Sequence, residues 1–280
     1  MLAVWIAQPF TLGPLLDEAL SPTGDPFRTS ASTGVWTGWF LVLLALVVAR
    51  PLTLTIVRIS APAALPIAGW AAIEVDDNAK VAIGILSAAV AGIVVLLPSL
   101  GDRFVDGVSY GDERRFLLRA PGPILTIVLT PTWAATVAGL LGGPLLLADE
   151  RWLTGGITLV VGWPIAALGF RAMHRLTARF LVFVPNGFVV HDGASMREPV
   201  MFTDREIASL APAAADSTAK DFTAQALGLA LELKLHTPAK LPVVVDRATT
   251  AEELVQSMLV SPTRPAAVME FAQERGLPII

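Results

Sequence analysis

The stretch RLTARFLVFVPNGFVVHDG, residues 175–193, marks the point where this 280-residue chain changes character. The residues before it are dominated by long apolar runs. Here a basic cluster gives way to two short β-rich runs, FLVFV and FVVHD, on either side of Pro185-Asn186-Gly187. Because this turn supplies a residue that tolerates a positive φ, the pattern predicts a β-hairpin. The stretch therefore separates a predicted helical membrane part from a predicted β-rich domain.

The composition points to a polytopic membrane protein. The chain is 54% hydrophobic and 16% charged, with a mean hydropathy of +0.65, and a soluble protein of this length cannot usually bury so much apolar surface. The net charge of −4 gives no basic field, so nucleic acid is not an expected partner. There are no cysteines, which excludes disulfides, thiolate metal sites and cysteine nucleophiles. No cofactor is expected.

Long apolar runs give the predicted spans. A bilayer core of about 30 Å needs about 20 apolar residues of helix, and the predicted spans are 33–49, 52–73, 81–100, 122–148 and 152–170. The region 33–73 leaves an alternative, because it could hold one span and a loop instead of two spans with a turn at Arg50-Pro51. The bundle then has five spans or four.

The placement of lysine and arginine favours five spans, because positive residues stay preferentially in the cytoplasm. Five spans give nine such residues inside and three outside, whereas four spans give eight and four. Five spans also place Trp36, Trp39, Trp70 and Trp152 at the outer interface. Both readings put the C-terminal part of the chain in the cytoplasm, at the plasma membrane.

Three segments flank the predicted spans. Residues 1–32 are not expected to be a signal peptide, because Pro9 and Pro14 break the apolar stretch. They are predicted to be an acidic extracytoplasmic tail, because they carry three acidic residues against Arg28. Residues 101–121 form a charged cytoplasmic loop, and 171–179 form a basic juxtamembrane helix end. Arginines of the last two segments are expected to contact lipid headgroups or to dock against another folded part: Arg103, Arg114, Arg115, Arg119, Arg171, Arg175 and Arg179.

The loop contains GVSYG, which matches the G-x-S-x-G pattern of a nucleophile elbow with Ser109 at its centre. That chemistry needs a strand before the serine, a helix after it, and Asp and His partners. Neither flank supplies these elements, and the three histidines, His174, His191 and His236, show no metal-ligand spacing. We therefore expect no enzymatic activity. A catalytic role of Ser109 or of His191 would require these two side chains to lie within hydrogen-bond reach of each other.

Small residues at four-residue spacing mark helix contact faces in lipid. One predicted stripe consists of Gly84, Ala88 and Gly92, and a second consists of Ala135, Gly139 and Gly143. A third begins with Gly162 and Ala166. They could form a homo-oligomer, although packing within one bundle is the preferred interpretation. Apart from Arg58, the predicted spans lack ionisable residues, which argues against transport of ions. A transporter would instead need a polar cavity lined by Thr126, Thr130 and Thr136.

Residues 180–280 are predicted to form six or seven short antiparallel strands closed by one C-terminal helix. ALGLALELKLHT alternates cleanly and, like LPVVVD and ELVQSMLVS, is predicted to be a strand, with TTAEE as a turn of helix. The final helix is predicted to have Ser261 or Thr263 as N-cap and Gly276 as C-cap, with Val268, Phe271 and Ala272 buried. This order describes a small, partly open barrel.

This order of elements resembles the bacterial pleckstrin-homology-like domains. The whole layout is similar to a group of uncharacterised multi-pass membrane proteins of high-GC Gram-positive bacteria, through GVSYGDERRF, FVPNGFVVHDGASMREPVMF and SPTRPAAVMEFAQERGLP. The resemblance implies a recognition module for phospholipid or peptide. Because the first hairpin turn carries no cation, a protein or peptide partner is the expectation. The predicted function is thus a non-enzymatic membrane protein that presents a cytoplasmic recognition domain. The alternative is a small-molecule or lipid transporter with the β domain as its gate.

Overall fold

The computed structural model describes residues 1–244 and 249–280. The helices, in chain order, are α1 (Leu2–Thr11), α2 (Gly13–Leu20), α3 (Asp25–Val47), α4 (Pro51–Glu74), α5 (Asn78–Val95), α6 (Pro98–Asp106), α7 (Leu129–Ala148), α8 (Trp152–Thr177) and α9 (Pro265–Glu274). One turn of π-helix, Ile124–Val128, leads directly into α7. Five helices of the described residues are long and apolar enough to cross a membrane: α3, α4, α5, α7 with its π-helical turn, and α8. The prediction of a five-span fold is confirmed.

Prolines set several of the helix boundaries. Pro51 lies in the first turn of α4, where its missing N–H is not needed. Pro98 disfavours helical backbone at the residue before it, so α5 ends at Val95 and α6 is a separate helix. At the other end of α5, Asp77 Oδ1 accepts hydrogen bonds from the N–H groups of Ala79 (3.0 Å) and Lys80 (3.2 Å).

Residues 1–32 are folded as α1, α2 and the start of α3. Leu15 is fully buried in an apolar cluster that α2 forms with α4 and α5. Polar contacts also hold this segment, since Glu18 Oε2 lies 2.5 Å from Lys80 Nζ and Gln8 Nε2 donates to Ser87 Oγ at 2.9 Å. Pro14 does not break the structure, because it stands in the first turn of α2.

The small-residue stripes lie between helices of this one chain. A Cβ added to Gly84 would lie 2.6 Å from Leu15 Cδ2, and one added to Gly143 would lie 2.6 Å from Leu159 Cα. Gly139 faces Gly162 in the same interface of α7 with α8. The remaining members differ: Ala88 is fully buried, Gly92 approaches Pro62, and Ala135 is exposed, with Thr136 buried beside it.

The β-rich part consists of two four-stranded sheets. The first has the order β1 (Arg114–Leu117), β2 (Phe180–Val184), β3 (Gly187–His191) and β4 (Val200–Thr203), with every pair antiparallel. The second has the order β5 (Ile207–Pro212), β7 (Leu231–Val244), β8 (Thr250–Val260) and β6 (Lys220–Asp221), in which β6 runs parallel to β8. These strands confirm the mainly-β prediction, but the described residues form two sheets and no closed barrel.

Strand β1 comes from the segment 101–121, which was expected to be a loop between spans. By contact density the chain divides into two compact units. We call residues 1–101 and 131–173 the helical unit, and residues 102–130 and 174–280 the β unit. The β unit thus contains the second half of α6, β1, the π-helical turn and the end of α8. Its core draws on both sheets and on α9, and Phe183 packs edge-on against Phe116 of β1 and Phe188 of β3.

Local predictions in the β unit had mixed outcomes. TTAEE was wrongly predicted as helix, because Thr250–Glu253 begin β8, and β7 is a single strand with an irregularity between Lys234 and Ala239. Val245 and Asp246 of the predicted LPVVVD strand lie outside the described residues. Neither Ser261 nor Thr263 is the N-cap of α9, since that residue is Arg264. The C-cap of α9 is Arg275 and not the predicted Gly276, which follows it at φ +76° and precedes a Leu277 N–H to Ala272 O bond of 3.0 Å.

Candidate functional site

A buried ion pair closes the end of the β2–β3 hairpin. Phe180 pairs with His191, so Arg179 and Asp192, the next residues outward, face each other. Arg179 Nε and Nη2 donate to the two carboxylate oxygens of Asp192 at 2.5 and 2.8 Å. The two side chains are 2% and 1% exposed. Bidentate arginine–carboxylate geometry of this kind gives both strength and a fixed orientation.

The remaining polar atoms of the pair are also bonded. Asp192 accepts hydrogen bonds from Ala194 N (3.0 Å) and Ser195 Oγ (2.6 Å). Arg179 Nη1 donates to the carbonyl of Arg119 at 2.8 Å, and the Arg179 carbonyl accepts from Leu118 N at 3.0 Å. A buried ion pair is tolerated only when its groups are satisfied in this way. The pair therefore joins the hairpin to the segment that leads into the π-helical turn.

Helix α6 protects the outer edge of β1. Asp102 Oδ1 accepts from Leu117 N and Asp106 Oδ1 accepts from Arg115 N, both at 2.9 Å. Further along the same edge, Leu117 O accepts from Thr263 N, and Arg119 N donates to Ser261 O, both at 2.8 Å. An unpaired strand edge is a template for unwanted pairing. Here carboxylates and a neighbouring segment of the chain occupy it.

Two titratable groups of this region have shifted pKa values. Burial raises the pKa of Asp102 above 3.8, against the opposing effects of the Leu117 N–H, of Arg264 and of Thr263. Arg264 Nη1 lies 3.6 Å from Asp102 Oδ2. Burial also lowers the pKa of His191 below 6.5, so its ring is neutral at pH 7. That ring stacks on Phe180 with centroids 4.6 Å apart.

The seven arginines predicted to dock or to contact lipid have different surroundings. Arg103, Arg171 and Arg175 are exposed. The others make contacts within the β unit: Arg114 with Asp106 (3.1 Å), Arg115 with Glu113 (3.0 Å), Arg119 with Leu229 O (2.8 Å), and Arg179 with Asp192. The hairpin register could have revealed the last pair, because a two-residue turn at Pro185-Asn186 pairs Val184 with Gly187 and so places residues 179 and 192 opposite each other.

Ser109 and His191 have separate partners. The Ser109 hydroxyl donates to Asp106 Oδ1 at 3.0 Å, whereas the His191 ring stacks on Phe180. These contacts do not form the nucleophile–base pair that an enzymatic reading requires. Among residues 1–244 and 249–280, no group of three His, Asp or Glu side chains is placed to hold a metal ion.

The helical unit contains an apolar cleft of about 360 Å³ between α4, α7 and α8. Thr136 and Ser60 are the hydroxyl-bearing residues of its lining. The Thr136 hydroxyl donates to Thr132 O at 2.7 Å, and that of Thr126 donates to Gly122 O at 2.9 Å. Since Thr126 and Thr130 do not line the cleft, the three threonines do not share one polar cavity.

The outer face of the first sheet carries apolar side chains. The register places Val184, Val189 and Met201 on the face opposite to Phe183 and Phe188 of the core. Met201 is 50% exposed, and the two valines are half-buried. An antiparallel sheet with one solvated face usually carries polar residues there. We call these three residues the outer patch, and they are the candidate interaction surface.

Glu206 closes the sheet edge next to the outer patch. Its Oε2 accepts hydrogen bonds from the N–H and the hydroxyl of Thr203, both at 2.8 Å. Because Asp204 N bonds to Asn186 O on the β3 side, the Thr203 N–H points to the open side of β4. Because this part of the strand edge is already hydrogen-bonded, the patch offers a partner its side chains and not a free strand edge.

Comparisons with known proteins gave no match: no family model, no curated protein and no solved structure is similar to this chain at a significant level.

Removing Arg179 is expected to destabilise the β unit strongly. Arg179→Ala leaves a buried carboxylate without its partner, which costs about 3–5 kcal/mol of unfolding free energy. Arg175→Ala, at an exposed position on α8, is the matched control and should stay within about 0.5 kcal/mol of wild type. Thermal unfolding of the full chain in detergent measures both. Equal melting temperatures for the two variants would contradict a stabilising role of the pair.

Asp102 is expected to make stability depend on pH. Its folded pKa lies above the ordinary 3.8, so the folded chain binds the proton more tightly between these two values and stability falls as pH rises through that window. Asp102→Asn removes this titration and keeps an oxygen that can accept from Leu117. The melting temperature of the variant minus that of wild type should therefore rise with pH. A difference that falls with pH would show that Arg264 outweighs burial.

Proposed function

We propose that this multi-pass protein is a non-enzymatic anchor in the plasma membrane that presents its β unit to a protein partner in the cytoplasm. The observation that carries the proposal is the outer patch, where Val184, Val189 and Met201 expose apolar surface on a sheet whose other face is a complete core. Exposed apolar surface of this kind marks interaction sites.

The charges around the outer patch favour a protein over an anionic headgroup. Pro185-Asn186-Gly187, the turn beside the patch, contains no cation, and the next hairpin loop contributes only Arg197. From residue 171 onward the sequence has eleven Lys and Arg against twelve Asp and Glu. A near-neutral apolar surface suits the apolar side chains of a protein interface core, where charged residues are depleted.

The architecture of the β unit also supports recognition. Short strands that are antiparallel except for the β6–β8 pair, followed by a C-terminal helix, support the resemblance to pleckstrin-homology-like domains. We propose that the β unit belongs to this class and binds a peptide or protein segment. The contacts of Ser109 and of His191 favour this role over catalysis.

The second candidate is a lipid transporter, and the apolar cleft of the helical unit is the observation that favours it. A cleft of about 360 Å³ lined mostly by apolar side chains would suit an acyl chain. It offers little to a polar headgroup, because the Thr136 hydroxyl is bonded to its own helix. Anchoring therefore remains the preferred role of the helical unit.

Cysteine labelling tests the proposed orientation, since the chain has no cysteine of its own. Asp76→Cys, Tyr110→Cys and Glu198→Cys place single thiols at exposed positions. In intact cells, a membrane-impermeant maleimide should label position 76, whereas positions 110 and 198 should react only after permeabilisation. Labelling of 110 and 198 in intact cells would place the β unit outside and rule out a cytoplasmic partner.

Two charge substitutions test the outer patch. Met201→Glu puts a carboxylate into the patch, while Leu254→Glu puts one at a leucine of β8 that is also exposed, at 69% against 50% for Met201. If the patch binds the partner, Met201→Glu should weaken binding at least about tenfold, because an unpaired charge in an apolar interface costs more than 1.4 kcal/mol. Crosslinking and quantitative recovery of the partner with the full chain in nanodiscs provide the measurement.

The control decides the interpretation. Recovery from Leu254→Glu should equal that of wild type. If Met201→Glu and Leu254→Glu recover the partner equally well, the outer patch is not the binding surface.

A further inference from the structure

A second exposed apolar surface lies in the β unit, on the segment between β6 and β7. From Phe222 to Leu231 the sequence FTAQALGLAL contains no charged residue. Within it, Leu227 is 62% exposed and Leu229 is 50% exposed. We call residues 223–229 the leucine loop. Two exposed leucines two positions apart, on a loop without charges, require an apolar environment that water does not supply.

Hydrogen bonds attach the leucine loop to the segment that precedes the π-helical turn. Gly122 N donates to Gln225 O at 3.2 Å, and Arg119 Nη1 donates to Leu229 O at 2.8 Å. Both contacts lie within the β unit, to which residues 102–130 belong. The loop is therefore attached at two points, on either side of Leu227.

The backbone of the leucine loop has a defined shape. Ala224 and Gln225 have φ values of +53° and +60°, which are uncommon for residues other than glycine. Gly228 has φ +104°, and a Cβ at this position would lie 2.6 Å from Arg119 Nη1. Glycine is thus needed at 228 both for its conformation and for the approach of the arginine.

The attachment point lies at the beginning of a membrane span. Gly122 is two residues before Ile124, where the apolar helix Ile124–Ala148 begins. A Cβ on Gly122 would lie 3.5 Å from Leu227 Cγ, so this leucine is adjacent to the start of the span. The first turn of the span is itself exposed and apolar, with Ile127 72% and Val128 49% exposed. Leu227 therefore adds to apolar surface that the bilayer must already cover.

We propose that the leucine loop inserts Leu227 and Leu229 into the membrane leaflet at which this span begins. The occupant of the surface is the lipid bilayer, because the apolar surface of the loop continues that of the span. The position of Arg119 agrees with insertion. Its side chain bonds to the leucine loop, and a cation near the start of a span can reach lipid phosphates. The insertion does not depend on the proposed protein partner, which binds a different surface.

Spin labels on single cysteines test the insertion in the full chain. The labelled positions are Leu227→Cys in the loop, Ile127→Cys as a lipid-exposed reference, and Leu254→Cys as a water-exposed reference in the same β unit. Collision rates with apolar O₂ and with a water-soluble nickel chelate are measured in lipid nanodiscs. The ratio of O₂ to nickel accessibility at 227 should approach that at 127 and exceed that at 254 several-fold.

The opposite result is equally clear. If the ratio at 227 equals that at 254, the loop lies in water and the proposal is wrong. Leu229→Cys provides a second reading with the same expectation. Since Leu227 and Leu229 are at least half exposed, neither substitution removes a core contact, and the label at 254 controls for the affinity of the probe itself for lipid.

Discussion

The organisation of the β unit depends on one interaction, the buried bidentate pair of Arg179 with Asp192. Arg179 follows the end of α8 and precedes β2, so its position is where the chain passes from span to sheet. Arg179 donates to Asp192 at the hairpin end and to the carbonyl of Arg119, which precedes α7. The arginine therefore links the end of α8 to the hairpin and to the segment that leads into α7. A lysine could not reproduce this geometry, because its N–H donors all lie on one nitrogen, whereas those of arginine are spread over a planar fork. Strand β2 begins three residues after the end of α8.

Three surfaces of the β unit differ in their contacts and exposure. Helix α6 and the 261–263 segment close the edge of β1, so this side is committed to internal structure. The outer patch on β2, β3 and β4 exposes apolar side chains, and it is the surface that we propose for a protein partner. The leucine loop is attached beside the start of a span, and it is the surface that we propose for lipid.

Sequence reasoning predicted the features that depend on local pattern: five spans, a β-rich C-terminal part, and the end of the final helix next to Gly276. It missed features that depend on distant partners. Strand β1 has only four residues in a charged segment, and its partner β2 lies beyond two spans, so no local pattern marks it. Of the site, the Arg179–Asp192 pair could be derived from the hairpin register. Leu229 was assigned to a strand because alternation does not distinguish a leucine that faces a core from one that is exposed on a loop.

The insertion of β1 between spans has a consequence for biogenesis. The ribosome makes β1 and Phe116 before α7 and α8, but β2 and the rest of the core only afterwards. Domains generally fold as units during synthesis, yet here the first sheet cannot form until both helices have been translated and threaded into the bilayer. A chain in which only one of these two helices crosses the membrane would hold β1 and β2 on opposite sides and leave the core incomplete. Folding of the β unit therefore depends on correct insertion of α7 and α8.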